Sequence, residues 1–213
     1  MHVLIAGNGQ PPDRKLFHRV LDTADLLIAA DGGALWCLEY GVEPHLVIGD
    51  LDSFPTSHYP GITVVHDPDQ ETNDLEKALK AAMERGARSV TLLGATGRRL
   101  DQSLKNISVM AQFAPHFETL LMRDDTGWMC LLPRDYHFST REGTTVSLFP
   151  LSGRVEGIHT EGLAFALHDE PLENGVRDGS SNRATAPLVR IRYRSGQLLL
   201  MVLNANVDLT HGS

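Results

Sequence analysis

Up to Arg123 the chain alternates two rhythms of apolar and polar residues. Short apolar runs predict strands at Val3–Ala6, Leu26–Ala30, Leu46–Ile48, Ile62–Val65, Val90–Leu93 and Thr119–Met122. Between them, apolar residues recur every three or four positions. This spacing predicts helices at Arg14–Thr23, Ala34–Tyr40, Asp74–Arg85 and Leu100–Phe113. The clearest helix lines up Leu75, Ala78, Leu79 and Ala82 on one face and stops at Gly86. Apolar strands separated by helices imply a mostly parallel sheet with helices on both faces.

After Arg123 the helical rhythm stops. Strand-like runs at Met129–Leu132, Thr144–Phe149, Leu163–Leu167, Val189–Tyr193 and Leu198–Leu203 are separated by Gly and polar turns, including a hairpin turn at Ser195-Gly196. This predicts an α/β domain over residues 1–125 and an all-β sandwich or barrel over 126–213. The final residues, Thr210–Ser213, are expected to fray.

Composition narrows the classes. The chain has 213 residues, 42% of them hydrophobic and 22% charged, as in an ordinary globular protein. A net charge of -8 argues against a broad basic face for nucleic acid, so an anionic substrate needs local help from metal, Arg or backbone N–H groups. Met1–Ile5 opens a strand-like run without a basic leader, and no apolar stretch approaches the ~20 residues of a membrane span. Cys37 and Cys130 lie far apart in apolar segments and read as reduced core residues of a cytoplasmic protein. The ten histidines show no zinc-ligand spacing.

The candidate chemistry collects where predicted strands end. Asp31-Gly32-Gly33 follows Ala30, and Gly49-Asp50-Leu51-Asp52-Ser53 follows Ile48. A longer segment from His66 to Asp74, with Asp69, Gln70 and Asn73, follows Val65; Gly94-Ala95-Thr96-Gly97-Arg98-Arg99-Leu100-Asp101 follows Leu93. In an open parallel sheet these carboxyl ends share one edge, where ligands bind. Two acids as close as Asp50 and Asp52 repel unless a cation stands between them, and Mg²⁺ is a hard cation suited to carboxylates and phosphates. Taken singly, each segment also has a plain reading. The first is a turn, the second a solvated acidic loop, Asp74 a helix N-cap, and Arg98 and Arg99 surface residues. Gly94, Thr96 and Gly97 suggest a phosphate-cradling loop, though without the ending of a P-loop.

These segments, in this order, resemble the thiamine pyrophosphokinase (thiamine diphosphokinase) family. The resemblance extends to Thr160–Leu167, similar to the family's Gly-Leu-aromatic segment, and to Gly179-Ser180-Ser181-Asn182, similar to its Ser-Asn turn. Four positions depart from the family pattern: Arg98 replaces a Gly, Gln102 a His, Asn73 a Thr and Phe165 a Trp. The resemblance implies an α/β domain for ATP and Mg²⁺, a β-domain for thiamine, and a homodimer with active sites between subunits. It implies transfer of the diphosphoryl group of ATP to the thiamine hydroxyl, giving AMP and thiamine diphosphate.

On that basis Asp52 and Asp74 are the first expected Mg²⁺ ligands, followed by Asp50 and Asp101. Gln70 and Arg99 would orient phosphates, with Asp31, Gly32, Asn73, Gly94, Thr96, Gly97 and Arg98 around the nucleotide. Asp31 would either support the acidic rim or deprotonate the alcohol. Ser181 and Asn182 would hydrogen-bond the pyrimidine. Phe165 would pack on a ring or, the favoured reading, fill the β-domain core. A dimer through the β-domain would cover the apolar faces of Val189–Tyr193 and Leu198–Leu203. Two rival classes use the same acids: a Mg²⁺-dependent nucleotide phosphohydrolase and a non-catalytic nucleotide or thiamine sensor.

Overall fold

A computed structural model describes residues 1–203. The expectation for Thr210–Ser213 lies outside the described residues. The chain divides into two compact units, Met1–Asp125 and Thr126–Ser213.

The first unit follows the apolar rhythm closely. Its elements are β1 (His2–Ala6), α1 (Arg14–Leu21), β2 (Leu26–Ala30), α2 (Gly33–Glu39), β3 (Leu46–Gly49), β4 (Val64–His66), α3 (Asp74–Glu84), β5 (Ser89–Leu93), α4 (Leu100–Phe113) and β6 (Thr119–Asp124). The strands pair in parallel in the order β6-β5-β1-β2-β3-β4. Alternate strand residues face opposite ways, which gives each face of the sheet its own core. On one face Leu4, Ala6, Leu27, Ala29, Val47 and Leu93 pack with Leu16, Phe17 and Val20 of α1 and Trp36 and Cys37 of α2. α3 lies against β1, β2 and β3 and buries Leu75, Ala78, Leu79 and Ala82. The strand order reverses between β1 and β5, the switch point beside which ligands bind in sheets of this kind.

The second unit contains two antiparallel sheets. One has the order β12 (Gly179–Arg183), β9 (Thr145–Pro150), β14 (Leu198–Leu203), β7 (Gly127–Leu131). The other has β11 (His168–Leu172), β10 (Val155–Glu161), β13 (Leu188–Arg192), β8 (Asp135–Ser139). Trp128 of β7 meets Phe138 of β8 edge to face, with centroids 5.8 Å apart, so the sheets pack as a sandwich. Three sequence readings change here. Leu163–Leu167 is a connecting loop with one isolated bridge, Leu163 to Ala184, rather than a strand, and Gly162, with its left-handed φ, starts the reversal of the chain. Val189 and Ile191 are already buried inside the unit, and the other face of β13 carries Arg190 and Arg192. β14 does not alternate: Leu198, Leu199 and Leu200 are all buried. These strands therefore do not offer the apolar outer faces expected for a dimer. No helix among the described residues is long and apolar enough to cross a membrane.

Candidate active site

Three carboxylates converge at the carboxyl edge of the parallel sheet. Asp31 follows β2, Asp50 follows β3, and Asp74 is the first residue of α3. One oxygen of each lies within 4.8 Å of the others, a grouping that is single of its kind among the described residues. Gly49 makes the convergence possible. A Cβ at that position would stand 2.9 Å from Asp31 Cβ and 2.9 Å from Asp74 Oδ1, so any side chain would separate the acids.

Asp31 is 1% exposed. Its Oδ1 accepts the Phe54 N–H at 3.1 Å and its Oδ2 the Ser53 N–H at 3.2 Å. The carboxylate thus fastens the loop that carries Asp50. Burial pushes the Asp31 carboxyl above the usual carboxylate range, against the hydrogen bonds from Ser53 that hold it down. Burial also raises Asp74, with Lys77 opposing and the charges of Asp50 and Asp31 adding to the rise. Lys77, 2% exposed, donates to the Asp67 carbonyl at 2.8 Å and stands 3.4 Å from Asp74 Oδ1. Of the three carboxylates, Asp74 is thus the one that this ammonium meets.

The N-cap of α3 is Asn73, not Asp74: Asn73 Oδ1 accepts the Glu76 N–H at 3.0 Å. Capping is done by the amide, which leaves the Asp74 carboxylate to the cluster. Gln70 Nε2 approaches Asp50 Oδ2 at 3.4 Å and so joins the rim. Asp52 and Asp101, both expected among the metal ligands, stand outside the group. Leu51 has φ 62, which reverses the chain between the two acids and turns Asp52 outward, where its Oδ1 accepts the Ser53 hydroxyl at 2.8 Å. Asp101 is occupied by Arg99 in a two-pronged pair, with Nε–Oδ1 3.1 Å and Nη2–Oδ2 2.6 Å. That pairing holds the Asp101 carboxyl below its usual range.

The glycine loop after β5 is locked to the loop after β1. Gly7 N–H donates to Leu93 O at 2.8 Å, Gly9 N–H to Gly94 O at 2.6 Å and Gln10 N–H to Thr96 O at 2.7 Å. Gly94, at φ 64, sits so close to Gly7 that a Cβ would meet the Gly7 carbonyl oxygen at 2.7 Å. Beneath them the buried indole of Trp36 donates to the same Gly7 oxygen at 2.9 Å. Arg98, in the place of a family Gly, keeps a left-handed φ of 54 and turns its guanidinium toward Asn8, Nη1 to Oδ1 3.4 Å. Gly32 packs against the Asn8 side chain, and Thr96 and Gly97 continue the loop toward α4.

Sequence reasoning missed the first of these loops. Gly7-Asn8-Gly9-Gln10 also follows a strand end, so the criterion applied to the other four loops would have found it. It missed Lys77 as well, whose signal is its place one helical turn after Asp74.

In the β unit, Asn182 is buried and its side chain is used up locally. Oδ1 accepts the N–H groups of Phe165 (3.0 Å) and Arg183 (2.8 Å), and Nδ2 donates to Phe165 O at 2.8 Å. The amide that was expected to meet a substrate instead pins the turn that displays Phe165. Phe165 itself is 73% exposed, so it is not a core residue. Ser181 holds a left-handed φ of 58, its N–H donating to Ser147 Oγ at 3.0 Å.

Comparison with known proteins places the chain in a family. Residues 17–121 match the thiamin pyrophosphokinase catalytic domain, and residues 132–198 the thiamin pyrophosphokinase vitamin B1 binding domain. Thiamine pyrophosphokinase 1 of Oryza sativa subsp. japonica is 27% identical over 202 residues, covering 80% of this chain and 76% of that protein. Thiamin pyrophosphokinase 1 of Caenorhabditis elegans is 23% identical over 171 residues, covering 75% and 70%. The crystal structure of thiamin pyrophosphokinase from Geobacillus thermodenitrificans superposes with a TM-score of 0.83 at 25% identity, covering 98% of this chain and 100% of that one. The Bacillus subtilis enzyme structure gives the same fold, with a TM-score of 0.83 at 20% identity over 96% of this chain and 100% of that one. With both family domains matched in order along one chain whose strand ends gather the acids, the protein belongs to the thiamin pyrophosphokinase family.

Proposed function

We propose that the acidic rim of the α/β unit holds Mg²⁺ and the polyphosphate of ATP, and that the chain acts there as a thiamine diphosphokinase, passing the diphosphoryl group of ATP to the thiamine hydroxyl and releasing AMP. The observation that carries the reading of the rim is the meeting of Asp31, Asp50 and Asp74 oxygens within 4.8 Å. Like charges that close, one of them buried, call for a divalent cation, and carboxylate oxygens are the donors Mg²⁺ prefers. Asp50 and Asp74 would hold the ion, with Asp31 bracing the loop beneath them. Bound there, Mg²⁺ would neutralise phosphate oxygens and the leaving AMP.

The remaining work is positioning, which is what this class of transfer requires. Gln70 and Arg99, the latter oriented by Asp101, would align the phosphates, and the Gly94–Gly97 loop would offer its N–H groups. Asp52 and Asp101 act outside the metal shell in this reading. Phe165, held outward by Asn182, would stack on a ring of thiamine, and Ser181 would contact the same substrate. Thiamine is itself a cation, so the acidic rim draws it in. We further place the enzyme in the cytoplasm as a homodimer. The reduced, buried cysteines fit that compartment, and the family resemblance supports the pairing of subunits.

Incubation with ATP, Mg²⁺ and thiamine, followed by chromatography, tests the assignment. AMP and thiamine diphosphate formed in equal amounts are expected. Phosphate release that ignores thiamine would identify a hydrolase instead, and binding without turnover a sensor. Light scattering across a dilution series tests the dimer, with a fully active monomer excluding it.

A further inference from the structure

Two of the rim's segments are joined by a single side chain that lies in neither. Asn106, in the second turn of α4, is half-buried between them. Its Oδ1 accepts from Asn73 Nδ2 at 2.8 Å, and its own Nδ2 donates to the Ala95 carbonyl at 2.7 Å. Asn73 in turn accepts the Glu76 N–H through Oδ1 at 3.0 Å. The result is one directional chain: α3 backbone N–H, Asn73, Asn106, Ala95 carbonyl. Each amide donates once and accepts once along it, so the amide orientations are mutually determined.

The two ends matter because of what adjoins them. Asn73 is the residue before Asp74, so it sets where α3 begins and where that carboxylate stands. Ala95 is inside the glycine loop, between Gly94 and Thr96, whose carbonyls accept from Gly9 and Gln10. With the carbonyls of Leu93, Gly94, Ala95 and Thr96 all engaged by donors of the chain, the loop's polarity toward a ligand is that of its N–H groups, the polarity a phosphate needs. We propose that Asn106 is a positioning residue that couples the carboxylate end of α3 to the phosphate-facing glycine loop, so that the two halves of the nucleotide site keep one spacing. The chain of amides depends on Asn73. A Thr at that position would cap α3 equally well but has no second donor to offer Asn106.

The inference rests on the reading of the rim as a nucleotide site, and its test separates the two. Calorimetry with Mg²⁺ and α,β-methylene-ATP, whose α–β bridge resists cleavage, measures nucleotide binding without turnover. Asn106→Ala is expected to weaken that binding about tenfold, the loss of roughly one well-placed hydrogen bond. KM for ATP should rise in parallel while KM for thiamine stays within twofold. Asn106→Asp, which keeps an acceptor for Asn73 but sets a carboxylate against the Ala95 carbonyl, should lose as much as Asn106→Ala. Asn73→Thr retains the cap and should lose part of the affinity. The double variant Asn73→Thr/Asn106→Ala should be no worse than Asn106→Ala alone, because both break one chain. Unchanged nucleotide affinity in Asn106→Ala, an equal rise in both KM values, or additive losses in the double variant would each overturn the proposal. If Asn106→Ala does not fold, Asn73→Thr carries the same measurement, and unchanged affinity there decides against the coupling. A wild-type protein that binds the analogue but makes no thiamine diphosphate would remove the proposed function and leave the coupling intact.

Discussion

The outer face of the sheet β11-β10-β13-β8 is crowded with charge, and so is the rim of the α/β unit, yet the two are built on opposite rules. On the sheet, Arg190 grips Asp135 through two hydrogen bonds of 2.9 and 2.6 Å. Arg192 reaches Glu161 at 2.9 Å, Arg177 reaches Glu170 at 2.6 Å, and Arg154 bridges Glu156 and Glu173 at 2.6 and 3.2 Å. These groups are exposed, opposite in sign, and every acid among them meets an arginine. At the rim, three acids cluster and one of them, Asp74, meets a buried lysine. A matched surface explains itself as a solvated face, since such pairs contribute little stability and need no ligand. An unmatched, partly buried cluster is costly unless a cation completes it. The balance of charge, rather than its amount, separates a surface from a site.

The largest expected effect breaks the rim. Asp50→Asn and Asp74→Asn should each lower the rate of thiamine diphosphate formation by on the order of 10²-fold or more, because an amide is a poor ligand for a hard cation. Asp52→Asn, outside the cluster, should lose much less. Activity of either cluster variant within threefold of wild type, or equal losses in all three, would sink the assignment. Phe165→Ala comes next. An exposed ring held on a clamp should contribute to thiamine affinity alone, so KM for thiamine is expected to rise about 5- to 10-fold with KM for ATP unchanged. Steady-state kinetics with each substrate varied in turn would tell, and a change confined to ATP would put Phe165 at the wrong ligand.

The rim should also leave a mark on stability without metal. The folded pKa values of Asp31 and Asp74 are raised above their unfolded values, mainly by burial. In the window between the ordinary carboxylate value and the raised one, the folded state binds more protons than the unfolded state. Stability therefore falls as pH rises through that window. Thermal melts in EDTA should follow this trend, Asp74→Asn should flatten it, and Mg²⁺, which binds the ionised acids, should oppose it. A metal-free profile that climbs with pH there would contradict the burial argument. The smallest effect belongs to the matched face. Arg190→Ala should move the melting temperature by no more than about 3 °C and leave turnover unchanged. A larger shift, or lost activity, would mean that this face is not merely solvated.

Much of the α/β unit was legible because its signals are local. β2 and α4 have the bounds that the apolar rhythm predicts, and the other strands and α-helices of that unit differ at their ends by one or two residues. The β unit was less so. Asp135–Ser139, Val155–Glu161, His168–Leu172 and Gly179–Arg183 are strands whose sequences are rich in His, Glu, Asp, Arg and Ser. The exposed faces of the first three carry ion pairs in place of the clean alternation that a reading of periodicity seeks. The site was legible as a list of loops but not as a geometry. Nothing in Asp50-Leu51-Asp52 says that the middle residue takes a positive φ and parts the two acids. Nor does the spacing of Asn73 and Asn106 announce that they touch, since that contact depends on how α4 lies beside α3. Phe165 shows the same limit in reverse: an aromatic in an apolar run reads as core until the Asn182 clamp is seen turning it out.

Trp36 gives the molecule a means of observation. The chain has two tryptophans, and they fall one to each unit, Trp36 and Trp128, both buried. The indole of Trp36 hydrogen-bonds the Gly7 carbonyl, against which Gly94 is packed. Any nucleotide that shifts these loops must therefore perturb that fluorophore, without label or mutation at the rim. Trp128, set edge-on to Phe138 inside the sandwich, serves as the internal reference. With Trp128→Phe the emission reports the α/β unit alone, and with Trp36→Phe the β unit alone. Denaturant titrations of the two variants would then resolve, in a single intact chain, whether the units melt together or in succession.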